Sequence, residues 1–237
     1  MYNTFKPILF ALITAVVCSF LLTAASAGLK SFQQENVEVD QKKNILKAVG
    51  LIQEGKKYSN EMIKKSYTDS IRSVRISPDG EIVGEGESLE KALPVYVYLK
   101  NEQIVSYIIP INSRGLWGKI MGYLALRNDG STIAGFTVYK HSETPGLGGE
   151  IEKRWFQKNF EGKKILDRDG NFVSISIAKG DLSPTFPEDK RPNYVDGISG
   201  ATLTGKYLTA GLKDTLLDYE PVSVKFRTKQ MLQMKSD

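Results

Sequence analysis

The sequence predicts an α+β protein: a single N-terminal transmembrane helix, then a domain of antiparallel β-hairpins with covering helices. Three observations predict it. Residues 8–29 carry no charged side chain. Between residues 94 and 140, four partly alternating apolar segments are joined by turn signals. From Leu203 onward, apolar residues recur at helical spacing.

The first element is "ILFALITAVVCSFLLTAASAGL" (8–29), with Lys6 before it and Lys30 after it. Its length, at about 1.5 Å of rise per residue, reaches roughly 33 Å, enough to cross a bilayer core. Two readings are open. One is a retained anchor over 1–30. The other is a signal peptide cut at the A-x-A-like "TAASAG", with a mature start at Gly28. The run exceeds the roughly 7–15 apolar residues of a usual signal core, which favours the anchor. Both readings make the chain membrane-linked or exported. Cys18 lies in mid-run and reads as a lipid-facing or packing residue. Charge does not fix the topology: Lys6 precedes the segment and Lys42, Lys43 and Lys47 follow it, and long domains can cross regardless.

Residues 31–44, "SFQQENVEVDQKKN", are polar and read as a linker, which leaves 45–237 as the folded domain. A division of that domain into lobes of about 45–110 and 111–225 is one option. Asn44 is placed to cap a helix carrying Ile45, Leu46, Val49 and Ile52, and a weaker helical signal covers 60–70. "PVYVYLK" and "QIVSYIIP" pair through Asn101-Glu102. "IMGYLALR" and "TIAGFTVYK" pair through "NDGS", the strongest hairpin signal in the chain. "EIEKRWFQKNF" (150–160) reads as a helix with Trp155 and Phe156 inward. "DRDGN" is a turn before the alternating strand "FVSISIA", and "PTFPEDKRPN" (184–193) is a proline-rich loop. The last helix gathers Leu203, Tyr207, Leu208, Leu212, Leu216 and Leu217 on one broad face.

Composition narrows the function. With 41% hydrophobic and 25% charged residues, the chain is ordinary for a globular protein. The net charge is +5. It comes from mixed signs, with no basic cluster to mark a nucleic-acid partner. Cys18 and His141 are the sole residues of their kinds. An intrachain disulfide, a four-cysteine iron–sulfur centre and a bis-histidine haem are therefore excluded, and no metal site is expected. Redox chemistry would need an organic cofactor or a partner subunit.

Two stretches carry chemical information. In "HSETPGLGGE" (141–150), Pro145 fixes φ and three glycines permit close backbone approach, between a strand and a helix. A tight connection and an anion-facing loop both fit it. It is neither a P-loop nor a dinucleotide fingerprint. His141 alone reads as a hydrogen-bonded loop residue. In "VDGISGATLTG" (195–205), Asp196-Gly197 favours a turn, and Thr202 falls at the first turn of the last helix. One reading is a helix capped by Ser199 or Thr202. In the other, a phosphate there meets orphan N–H groups and the positive end of the helix dipole. A threonine nucleophile for hydrolysis is poorly supported, because no terminal amine is available to activate Thr202.

The S-G-A-T run resembles a flavinylation motif, in which the threonine carries FMN through a phosphoester. "GLWGKIMGYLAL" and "GFTVYKHSETPGLGGEIEKRWF" resemble the C subunit of the sodium-translocating NADH:quinone reductases. The similarity is strongest over about 112–160 and 193–212. The G subunit of the related Rnf complexes shares the flavinylation site but usually continues differently after the glycines. The resemblance implies covalent FMN on Thr202. It implies a flavin transferase that delivers FMN from FAD and reads Asp196, Gly197, Ser199, Gly200 and Ala201, with Val195 a weaker member. It further implies that Glu143, Thr144 and Leu147 approach the isoalloxazine, with Trp117 nearby. The expected function is electron transfer between partner redox centres on the way to quinone, in a bacterial inner-membrane sodium pump. The flavin domain is expected on the outer, periplasmic face, with the other reductase subunits as partners. An anchored FMN-binding sensor or scaffold is the alternative class.

Overall fold

Helix α1 spans Phe5–Ala48 and continues through the stretch read as a linker. The computed structural model describes residues 5–53, 55–84 and 91–230. Residues 31–44 hold neither Gly nor Pro, so nothing in them stops a helix already nucleated upstream. Asn44 is therefore an interior helical residue and not a cap. The helix ends where Gly50 takes φ +76. There the Gly50 and Leu51 N–H groups bond back to the carbonyls of Lys47 and Leu46, a glycine-terminated cap.

The chain divides into two units, Met1–Asp40 and Gln41–Asp237. In the first, all described side chains up to residue 38 are exposed, including Cys18. By length and composition α1 is apolar enough to cross a membrane, the single such helix among the described residues.

The second unit is built on a five-stranded antiparallel sheet in the order β1 (Ile71–Ile76), β2 (Leu93–Lys100), β3 (Gln103–Arg114), β4 (Lys119–Arg127), β5 (Ile133–Lys140). Helix α2 (Asn60–Ser70) precedes it, and β1 was not anticipated from the sequence. The sheet bridges the suggested 110/111 boundary within β3, so residues 41–237 form one unit and not two lobes. Asn101 and Glu102 both take positive φ, 51° and 62°, which suits a two-residue hairpin turn. In the β4–β5 turn, the Asp129 carboxylate accepts the Ser131 and Thr132 N–H groups and the Thr132 hydroxyl.

After β5 the elements are shorter than the sequence suggests. Residues 150–160 divide into a 3₁₀ turn (Gly148–Glu152) and α3 (Arg154–Lys158), separated by an extended Lys153. Phe156 is buried against Phe160, but Trp155 faces out and donates its indole N–H to Glu150 at 3.0 Å. The strand expected over 172–178 shrinks to β6 (Ser176–Ile177), because Ser174 has φ +68. It pairs in parallel with β7 (Tyr194–Val195).

Helices α4 (Thr202–Asp218) and α5 (Glu220–Arg227) close the core. Leu208, Leu212 and Leu216 of α4 are fully buried, whereas Leu203 and Leu217 are exposed, so the apolar stripe is narrower than expected. Ser113 of β3 donates its hydroxyl to the Tyr207 carbonyl at 3.0 Å, which fixes α4 across the sheet. Tyr107 of β3 stacks on Phe226 of α5 at 4.2 Å and donates its hydroxyl to Ser223. Docked this way, α4 holds its N-terminus beside the β3–β4 turn.

Candidate functional site

Three segments far apart in sequence meet around a cavity of about 200 Å³. They are the β3–β4 turn, the loop after β5 and the entry to α4. Of the residues singled out from sequence, Trp117, Glu143, Thr144, Leu147, Gly200, Ala201 and Thr202 line it. Clefts of about 310 and 410 Å³ elsewhere include none of them, and a more open groove of about 600 Å³ along the β3–β4 turn shares only Trp117.

The remaining candidates have other places. Val195 is fully buried in the core and pairs with Ile177. Asp196 accepts the Leu182 N–H at 2.7 Å. Gly197 passes so close to the backbone just after β6 that an added Cβ would lie 2.1 Å from the Ala178 carbonyl oxygen. Ser199 is exposed in the turn but does not line the cavity. None of these four residues lines the cavity.

Helix α4 begins without a side-chain cap. Ala201 is the cap residue, and neither Ser199 nor Thr202 bonds to the opening amides. The first bond of this turn runs from Gly205 N–H to the Ala201 carbonyl at 3.0 Å. The amides of residues 202–204 therefore have no acceptor within the helix. The Thr202 hydroxyl belongs to an exposed residue at that end. A phosphate there would meet free N–H groups and the helix dipole, worth about 0.3–1 kcal/mol when exposed.

The cavity mouth is apolar. Trp117 is 69% exposed, and Leu116, Leu147 and Leu203 are 41–48% exposed around it. Such a rim suits one face of a flat aromatic ring. Gly200, at φ +74, lets the loop cross Leu147, whose Cδ2 an added Cβ would approach to 2.8 Å. The donor set and the rim thus fit a flavin mononucleotide: amides for its phosphate and apolar surface for its ring.

Glu143 is the one charged residue among the cavity walls, and it is buried. Its carboxylate accepts the Trp117 N–H at 3.0 Å and the Thr204 hydroxyl at 2.5 Å. His141 is not a wall residue; its Nδ1 accepts the Glu143 N–H at 3.1 Å. The other ring nitrogen meets Glu152 at 3.2 Å. Lys153 chiefly, with His141 adding to it, holds the Glu152 carboxyl below its ordinary value. Leu116, Gly148, Leu203 and Thr204 complete the walls and were missed from sequence. Thr204 left a signal, a second hydroxyl two residues after Thr202. Leu203 read instead as a core residue of its helix.

The FMN-binding domain family matches residues 115–217, a span that contains all three cavity segments. The C subunit of the Na(+)-translocating NADH-quinone reductase of Vibrio campbellii is 32% identical over 223 residues, covering 81% of this chain and 82% of its own. The Yersinia pestis C subunit is 34% identical over 230 residues, covering 84% and 83%. The chain belongs to this C-subunit family. The crystal structure of the C subunit from Parabacteroides distasonis superposes with a TM-score of 0.68 at 33% identity, over 84% of this chain and 97% of that one. The Shewanella oneidensis C subunit, at 21% identity, shares the fold with the same TM-score. Membership in the C-subunit family agrees with the α+β architecture and the N-terminal apolar helix found here.

Proposed function

We propose that this chain is the FMN-carrying electron-transfer subunit of a membrane Na⁺-pumping NADH:quinone reductase. One observation supports the reading: Thr202, at an uncapped helix start, lines a cavity whose rim is apolar and suited to a ring. The family match supplies the identity of the ring.

FMN, when bound, would supply a centre that takes up and releases electrons reversibly. The chain's own residues attach and orient it. Thr202 is the attachment point. With FAD as donor and a flavin transferase as catalyst, its Oγ would take the place of AMP on the FMN phosphorus, the hydroxyl proton and AMP being released. The α4 amides would stabilise the phosphodiester charge. A dipole contribution of about 1 kcal/mol is too weak to retain a cofactor, so the covalent bond does the retaining and keeps the effective concentration high. Trp117 and Leu147 would cover apolar surface of the ring, and Thr144 would offer it polar groups.

Helix α1 serves as a retained anchor, with the flavin domain on the outer face of the bacterial inner membrane. The other reductase subunits are the electron partners, on the path to ubiquinone or menaquinone. The apolar part of α1 carries no charge over residues 8–29, so sodium is expected to cross through other subunits.

The test is expression with and without a flavin transferase. The matured protein should give a fluorescent band after denaturing electrophoresis. The peptide spanning 193–206 should gain the mass of one FMN less one water. Thr202→Ala should abolish both, and a persisting fluorescent band would move the attachment elsewhere. Deletion should stop NADH-driven quinone reduction; intact turnover would favour a sensor or scaffold.

A further inference from the structure

Glu143 makes more contacts than a cavity wall requires. The residue is 4% exposed, and no Lys, Arg or His side chain among the described residues forms an ion pair with it. Burying a carboxylate without a cation is unfavourable unless strong hydrogen bonds replace its water. Both oxygens have such bonds. Oε1 accepts the Trp117 N–H at 3.0 Å and Oε2 accepts the Thr204 hydroxyl at 2.5 Å. The donors lie 26 residues before and 61 residues after it, on two other segments of the cavity wall.

The space for the carboxylate is made by two glycines. A Cβ on Gly115 would stand 2.5 Å from Oε1, and one on Gly148 would stand 2.8 Å from Oε2. The backbone of Glu143 is itself held, because its N–H bonds to His141 Nδ1. The carboxylate is thus seated by its own loop and grips the two other segments.

We infer that Glu143 is the positioning residue of this site. Its carboxylate ties the Trp117 turn to the first turn of α4, so both walls are set before a cofactor arrives. The consequence for FMN rests on the flavin reading above; the tether itself does not.

Amide hydrogen exchange on the flavin-free full chain in detergent micelles tests the tether. Glu143→Ala should speed exchange at Trp117 and over residues 205–208 at least tenfold, with the β3 and β4 amides unchanged. Glu143→Gln should restore protection, since its carbonyl oxygen can accept from Trp117 while its amide donates to the Thr204 hydroxyl. Thr204→Val keeps the carboxylate and should loosen residues 205–208 while Trp117 stays protected. That variant decides the matter if Glu143→Ala fails to fold. Wild-type rates in Glu143→Ala, no rescue by Gln, or wild-type rates at 205–208 in Thr204→Val would each overturn the inference. In the flavin-loaded native chain, a held Trp117 should quench flavin emission. Glu143→Ala should raise that emission severalfold and Gln should lower it again; unchanged emission counts against the inference. Failure to load any flavin would sink the proposed function and leave the exchange result standing.

Discussion

At the residue scale, small side chains matter here for the space they leave. Gly197 shows this most clearly. A methyl group there would approach the Ala178 carbonyl oxygen to 2.1 Å, and the Gly197 N–H bonds to the Gly180 carbonyl at 2.8 Å. The neighbour is backbone and cannot swing aside. Gly197→Ala should therefore cost about 1–3 kcal/mol of stability, read as a lower midpoint in urea with an unchanged slope. The residue belongs to the S-G-A-T neighbourhood, so its substitution should also reduce flavin attachment. Refolding at low temperature before labelling separates the two effects. Tyr107→Phe makes a smaller change. It removes the hydroxyl that bonds to Ser223, while the ring stack on Phe226 persists, and should cost about 1 kcal/mol by the same measurement.

At the element scale, the β4–β5 hairpin depends on Asp129. Burial raises the pKa of this carboxyl, but the Thr132 hydroxyl and the amides of Thr132 and Ser131 outweigh it and hold the group below its ordinary value. A folded pKa below the unfolded one contributes stability that is fully present above the unfolded carboxyl range, near pH ~4. The contribution is lost as pH falls through the lowered folded value. Asp129→Asn should therefore be less stable than wild type at neutral pH, by about 1 kcal/mol because the turn is partly exposed. The difference should narrow on acidification. Equilibrium unfolding of both proteins between pH 7 and 2 checks it. A gap that widens in acid would contradict the assignment. The hairpin matters to the site because β5 leads directly into the Glu143 loop.

At the scale of the whole molecule, the boundary between the two units lies after Asp40, within one continuous helix. The second unit contains the sheet, the core and every residue of the cavity. A chain starting at residue 41 should fold without detergent and keep the far-ultraviolet signature of the domain. It should also accept flavin on Thr202 when supplied with a transferase. The full chain should require detergent, because the helix exposes Phe10, Phe20 and Leu22 along its apolar stretch. A fragment from residue 41 that aggregates or lacks a cooperative transition would show that the domain depends on the helix.

Legibility from sequence followed the range of the interactions. The hairpins at 101–102 and 128–131 were readable because turn residues and alternation act over a few positions. The uncharged N-terminal segment was readable because hydropathy is additive along the chain. Helix α1 runs past its expected end because polarity alone does not stop a helix, and Gly50 is what ends it. The strand over 172–178 failed because Ser174 takes a positive φ, which alternation does not register. In the site, Thr202 and the glycine-rich loop were legible as motifs. The sequence by itself determined which residues have the chemistry: one threonine among small neighbours, a loop of glycines, a single cysteine and a single histidine. Only the tertiary structure decided which of them meet. It leaves Val195, Asp196, Gly197 and Ser199 outside the cavity walls, adds Leu116, Gly148, Leu203 and Thr204 to them, and gives Glu143 its two hydrogen-bond donors. Those contacts arise from α4 docking across β3, and a contact between residues 61 apart depends on that docking, for which no local pattern stands in.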